Sequence, residues 1–226
     1  MEFPIKPHFP QMFSISTVYH CFLINQNSYW HFTIHKYHDI RINIIRMGNI
    51  NKAEEIVAGI NRFLEGFKKA VIMGIGNELR GDDAAGLKVI ELLNEKIKKW
   101  DYADNFGLIM LLNCGMVPEN FLGKIEAFSP SHIIIIDAVE MSKPPGTIGI
   151  FRREDLLHST TISTHNISPE ILFAYFEEIV GAKVLLVGIQ PKILDFYEGL
   201  SQEVYKSVEL IANVIWRVII AYGKTT

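Results

Sequence analysis

The chain has 226 residues, 49% hydrophobic and 21% charged, which is enough for one sizeable α/β core and unlike the composition of a disordered protein. A net charge of −3 and a pI near 6.2 provide no basic stripe for a phosphate backbone, so no nucleic-acid partner is expected. Two cysteines, Cys21 and Cys114, cannot build a disulfide framework and suit a reducing compartment. No apolar run reaches the roughly 18 residues needed to cross a bilayer, so a cytoplasmic chain without direct membrane insertion is expected.

Residues 1–46 stand apart. They hold five of the eight histidines (His8, His20, His31, His35, His38) and three of the nine prolines, with no sustained helical or strand period. A signal peptide fits poorly, because the start lacks a basic segment and a small-residue cleavage pattern. His31, His35 and His38 share a face if the segment is helical, which is metal-ligand spacing, although biased composition with incidental histidines explains them more simply. Met47, followed by a clean helical pattern, is an alternative translation start that mass spectrometry of the native protein would test. Residues 1–46 are accordingly unassigned, and 47–226 read as a single α/β domain.

From Asn51 onward, Ile56, Ile60, Phe63, Leu64 and Phe67 recur at helical spacing, predicting an amphipathic helix. Val71 to Gly86 then reads as strand, tight loop and helix, VIMGIGNELRGDDAAG. Gly74 and Gly76 allow a sharp turn with nothing projecting above the strand end, which leaves the top of the loop open to a ligand or a partner's chain. Asp82 and Asp83 stand where the helix begins. An N-cap accounts for one of them, not for both. The helix from Ala84 to Ile97 is followed by a buried strand, Leu108 to Leu112, ending in Asn113-Cys114-Gly115, and by a short helix from Pro118 to Phe128.

The run His132-Ile133-Ile134-Ile135-Ile136-Asp137 is continuous in β-branched residues, as in the centre of a parallel sheet, and Asp137 is expected to end it. Ligands of open α/β sheets bind at the carboxyl ends of the strands, the edge where the Asp83 loop also lies. Lys143-Pro144-Pro145-Gly146 is a turn, and Thr147 to Arg152 a short, antiparallel edge strand. His165 lies just before a helix that has Ser168 as N-cap and Pro169 as first residue and runs to about Val180. Val184 to Gly188 is the last buried strand. In the closing helix, Gln202 to Tyr222, Glu209, Asn213 and Arg217 form one polar stripe on an otherwise apolar cylinder. The expected architecture is a three-layer sandwich: a mostly parallel sheet of about five strands with helices on both faces.

These motifs are similar to those of the hydrogenase maturation endopeptidases, most closely the type that processes hydrogenase-3-like enzymes. The matching pieces are Gly74-Ile75-Gly76-Asn77 with Arg80-Gly81-Asp82-Asp83, Asn113-Cys114-Gly115 with Pro118-Glu119-Asn120, and Ile136-Asp137-Ala138. Pro145-Gly146, Thr164-His165-Asn166 and Leu186-Val187-Gly188-Ile189-Gln190-Pro191 follow in family order, so the likeness covers about Ala70 to Tyr222. One departure is Ala84-Ala85 before Gly86, where the family usually carries Gly-Val or a similar pair; it adds little bulk. The resemblance implies an endopeptidase that removes a short C-terminal extension from the [NiFe] hydrogenase large-subunit precursor once nickel has been inserted. It places the family's metal-contacting and catalytic residues on Asp83, Asp137 and His165. The nickel would arrive with the substrate subunit, or another divalent metal would be held by the isolated protein.

The residue chemistry is compatible with that mapping. Two carboxylates and an imidazole leave open positions on a borderline divalent ion for water or a peptide carbonyl. His-Glu-x-x-His, Gly-x-Ser-x-Gly and Asp-Thr-Gly are all missing from the sequence. Cys114 has no evident base beside it, and a buried strand-end thiol is its simpler reading. Two alternatives come from other classes. A dinucleotide-binding oxidoreductase would need a glycine where Leu79 stands and an acid where Asn113 stands. A non-catalytic, nickel-sensing maturation chaperone for the hydrogenase large subunit would use the same residues without cutting.

Overall fold

The computed structural model describes residues 50–99, 107–156, 162–163, 168–196 and 199–222, together with the four strand residues His20, Cys21, Phe32 and Thr33. The chain divides into two compact units, Met1–Asn49 and Ile50–Thr226. In the first, β1 (His20–Cys21) pairs antiparallel with β2 (Phe32–Thr33). His31, His35, His38 and the Met47 start lie outside the described residues.

The second unit is built on a six-stranded sheet. Along its main path the order is β4 (Ile109–Asn113), β3 (Ala70–Gly74), β5 (His132–Glu140), β8 (Lys183–Ile189) and β6 (Ile148–Phe151). The first four run parallel, and β6 closes the edge antiparallel to β8, from Ile148↔Ile189 to Phe151↔Leu186. β7 (Ile162–Ser163) pairs antiparallel with the end of β5. The mostly parallel sheet of about five strands is thus present, with its antiparallel edge strand where the sequence places it.

Burial on both faces explains the unbroken apolar strands. Ile134 and Ile136 join Ile72, Leu185 and Val187 on the face covered by α1 (Ile50–Phe63), α2 (Ala85–Lys98) and α6 (Gln202–Tyr222). Ile133 and Ile135 join Val71, Met73, Val184 and Leu186 on the face covered by α3 (Leu122–Phe128) and α5 (Pro169–Ala174). Helices therefore lie on both faces, giving three layers. The polar stripe of α6 points outward: Asn213 and Arg217 are exposed while Val208, Ile211, Ala212 and Ile215 are fully buried. A single helical turn, α4 (Arg153–Leu156), follows β6.

Two local expectations hold, each with a difference in detail. Ser168 is the N-cap of α5 by backbone geometry only, with no side-chain cap bond; Pro169 does occupy the first turn. The helix reaches Val180 as expected, but from Tyr175 it widens into a π-helix. It ends at Gly181 in the left-handed conformation, φ 75°, the residue type that tolerates it.

Candidate active site at the carboxyl edge of the sheet

The four parallel strands point the same way, so the loops after β3, β4, β5 and β8 share one edge. After β3 the chain turns through Ile75–Arg80 into a 3₁₀ turn, Gly81–Ala84, and then into α2. Asp83 lies in that turn and is 1% exposed; Asp137 lies on β5 and is 2% exposed. The segment Ile75–Asn77 is a wall common to both. Ile75 N–H donates to the Ile136 carbonyl at 2.9 Å, one residue before Asp137, and Asn77 N–H donates to the Asp83 carbonyl at 3.3 Å. The structure therefore brings Asp83 and Asp137 to the same edge from separate segments.

The glycines do something other than leave the loop open. A Cβ on Gly76 would collide with the Asp83 carbonyl, and one on Gly86 with the carbonyls of Ile136 and Ile75. The space above β3 is filled by the start of α2, and the glycines permit that backbone-on-backbone approach. Nor does Asp137 end its strand. The pairing with β3 stops at Gly74↔Ile136, but β8 continues alongside to Ala138↔Ile189, and β7 adds Val139↔Ser163 and Glu140↔Ile162. Asp137 lies one residue beyond the last register pair with β3 and is still paired with Gly188 of β8.

The N-cap expectation is also overturned. Neither the 3₁₀ turn nor α2 has a side-chain cap. Asp82, fully buried, instead accepts hydrogen bonds from Lys192 N–H (2.8 Å), Ile193 N–H (2.9 Å), Ser201 N–H (2.6 Å) and the Ser201 hydroxyl (2.9 Å). Four donors satisfy a buried carboxylate without a cation. Gln190, which the sequence marks only as part of the Leu186–Pro191 motif, is 4% exposed. Its Oε1 accepts from Met141 N–H (2.7 Å) and Lys143 N–H (3.2 Å), and its Nε2 donates to Glu140 (2.9 Å) and to the Pro191 carbonyl (3.2 Å). A lone glutamine at the end of an apolar strand is the sequence signal for such a satisfied polar network.

His165 lies outside the described residues. β7, which ends two residues before it in the sequence, runs antiparallel to β5, and Ser163 is the end of β7 nearer Asp137. Among the described residues, no three His, Cys, Asp or Glu side chains form a group able to hold an ion. Cys114 is buried, and burial pushes its thiol up to about 12, the opposite of an activated nucleophile. Leu79, Met116, Val117 and Phe196 are exposed on the loops of this same edge. Among the described residues, no helix is long and apolar enough to cross a membrane.

A family model described as HycI, hydrogenase maturation protease, matches residues 87–218. A Methanocaldococcus jannaschii protein, named as a candidate hydrogenase maturation protease, is 36% identical over 156 residues, 69% of this chain and 91% of its own length. The hydrogenase 3 maturation protease of Escherichia coli K12 is 33% identical over 141 residues, 62% of this chain and 85% of its own. The crystal structure of a [NiFe] hydrogenase maturation protease, HycI, from Thermococcus kodakarensis superposes with a TM-score of 0.63 at 31% identity, covering 72% of this chain and 99% of that one. The shared sheet, the ordered motifs and a match that takes in Asp137 and most of the closing helix lead to one conclusion: the chain belongs to the hydrogenase maturation proteases.

Proposed function

We propose that this peptidase removes a short C-terminal extension from the large-subunit precursor of a [NiFe] hydrogenase after nickel insertion, with Asp83, Asp137 and His165 engaging the metal that the substrate carries. The observation that supports this most is the pair of buried carboxylates delivered to one sheet edge by two segments that share the Ile75–Asn77 wall. Carboxylate and imidazole donors suit a borderline divalent ion, whose remaining positions take water or a peptide carbonyl. Such an ion polarises the carbonyl or lowers the pKa of its water. The roles left to this chain are to hold the ion through three side chains and to keep it at a fixed place against the scissile bond. The isolated protein would bind a divalent metal through the same residues.

Leu79, Met116, Val117 and Phe196 around this edge suit a protein substrate, because exposed apolar side chains grouped at a site are a feature of docking surfaces. The action is placed in the cytoplasm, where a free, buried Cys114 is at home. A dinucleotide-binding role is set aside by family membership. The test is processing of the nickel-loaded precursor by Asp83→Asn, Asp137→Asn and His165→Ala. Each variant should lose at least about a hundredfold in rate, since even outer-shell partners of a metal are worth 10–100-fold. A variant that still ran at full rate would remove its residue from the mechanism.

A further inference from the structure

Asp82 and Gln190 are buried, fully bonded polar side chains that the proposed cleavage does not use, and one segment links them: Gln190 begins it, and Asp82 holds it at Lys192, Ile193 and Ser201. Gln190 directly follows β8 and bonds the chain that continues β5 past Asp137, at Glu140, Met141 and Lys143. Its own backbone is fixed by Thr147 and Gly146, with Gln190 N–H donating to the Thr147 carbonyl (2.8 Å) and Gly146 N–H to the Gln190 carbonyl (2.9 Å). From there the loop to α6 crosses to the 3₁₀ turn, where the Asp82 carboxylate takes Lys192, Ile193 and Ser201. Asp82 N–H returns a bond to the Ile193 carbonyl (2.9 Å), and Arg80 Nε donates to the Leu194 carbonyl (2.9 Å). One peptide bond separates Asp82 from Asp83.

We infer that Asp82 and Gln190 are positioning residues: through the β8–α6 loop they yoke the Asp83-bearing turn to the Asp137-bearing strand and so set the spacing at which the two carboxylates meet a divalent ion. The inference rests on the proposed cleavage. A buried carboxylate with four donors and an amide with four partners are stiff connections, because moving either leaves buried groups unpaired. Loosening the yoke changes the carboxylate spacing, and leaves the outer surface that meets the precursor as it was.

The experiment measures processing of the nickel-loaded precursor and, separately, Ni²⁺ binding to the full chain by calorimetry. Gln190→Glu sets a second carboxylate against Glu140, and Glu140→Gln added to it restores the donor. Gln190→Glu and Asp82→Asn should lower kcat by about ten- to a hundredfold, the scale of an ångström-sized misplacement, with KM little changed and Ni²⁺ affinity reduced. The double variant should recover most of both. Ser131→Ala removes a hydrogen-bonded hydroxyl at the opposite edge of the sheet and should lower the melting temperature while kcat stays unchanged. If Asp82→Asn does not fold, the Gln190 pair carries the test. Folded variants with wild-type kcat and ion affinity, or losses that Glu140→Gln does not reverse, overturn the yoke. A wild type that binds Ni²⁺ but never cleaves overturns the cleavage reading instead, and one that does neither overturns both.

Discussion

Replacing Gly86 by alanine should destabilise the protein, although a helix interior ordinarily favours that change by about 1 kcal/mol. Gly86 is the second residue of α2, and an added Cβ would meet the Ile136 and Ile75 carbonyls and, at 2.9 Å, the Ile75 nitrogen. All three are backbone atoms of the sheet edge, so no side chain can swing away, and overpacking a tight core typically costs about 1–3 kcal/mol or more. With rigid atoms on two sides the upper part of that range applies, and after the helix gain a net loss of about 2 kcal/mol remains. In a domain of this size that lowers the melting temperature by roughly 4–8 °C. Gly123 is the matched comparison: it lies in α3, is exposed, and a Cβ there meets nothing within 4 Å. Gly123→Ala should raise stability by about 0.5–1 kcal/mol. Calorimetry and urea titration of the two variants read both signs. Because the overlap pushes on Ile136, next to Asp137, Gly86→Ala should also slow processing. A Gly86→Ala protein as stable as wild type would refute the packing account of the β3–α2 junction.

His132 is buried at the start of β5, its Nδ1 within 3.0 Å of the Ser131 hydroxyl and its ring edge-on to Phe63 at 5.2 Å; Nε2 has no hydrogen-bond partner among the described residues. Burial, with Lys183 adding to it, lowers its pKa below 6.5. The unfolded chain therefore takes up the proton first, and stability present above pH 6.5 is lost as pH falls below it. Urea midpoints at pH 7.5 and 5.5 should differ more for wild type than for His132→Leu, and equal differences would dismiss the histidine's contribution. Cys114, with its thiol pushed up to about 12, should resist iodoacetamide in the native state and react on unfolding, as site-resolved mass spectrometry would show; rapid native labelling would contradict its burial. Phe176, fully buried on the α3–α5 face, should cost about 3–5 kcal/mol when cut to alanine. A loss below 1 kcal/mol in urea titration would mean that face is loosely packed.

The central strands β3, β5 and β8 were legible in the sequence because they are buried on both sides and read as plain apolar runs, as at Ile133–Ile136, whereas β4, expected to be buried, is a partly exposed edge strand. The extent of β5 was not: Ala138-Val139-Glu140 carries no such run, and those residues pair only because β8 and β7 reach them. Asp83 and Asp137 could be picked out as acids at one edge, since strand direction alone brings them there. The role of Asp82 is hidden from the sequence, where an N-cap accounts for either acid of the pair, because its partners lie 110 to 119 residues away, beyond the reach of any local pattern. The same holds for Gln190, bonded 47 and 49 residues back. Glycine spacing showed that the β3 loop turns tightly, but not that α2 would fill the space above it.

The central claim is nickel-dependent cleavage, and its most direct test is the intact mass of a [NiFe] hydrogenase large-subunit precursor, with and without nickel, before and after incubation with this protein. The account predicts loss of one short C-terminal peptide from the nickel-loaded subunit and none from the nickel-free one. An unchanged mass in a nickel-loaded subunit that still forms a stable complex would contradict it and make the protein a metal-sensing binder.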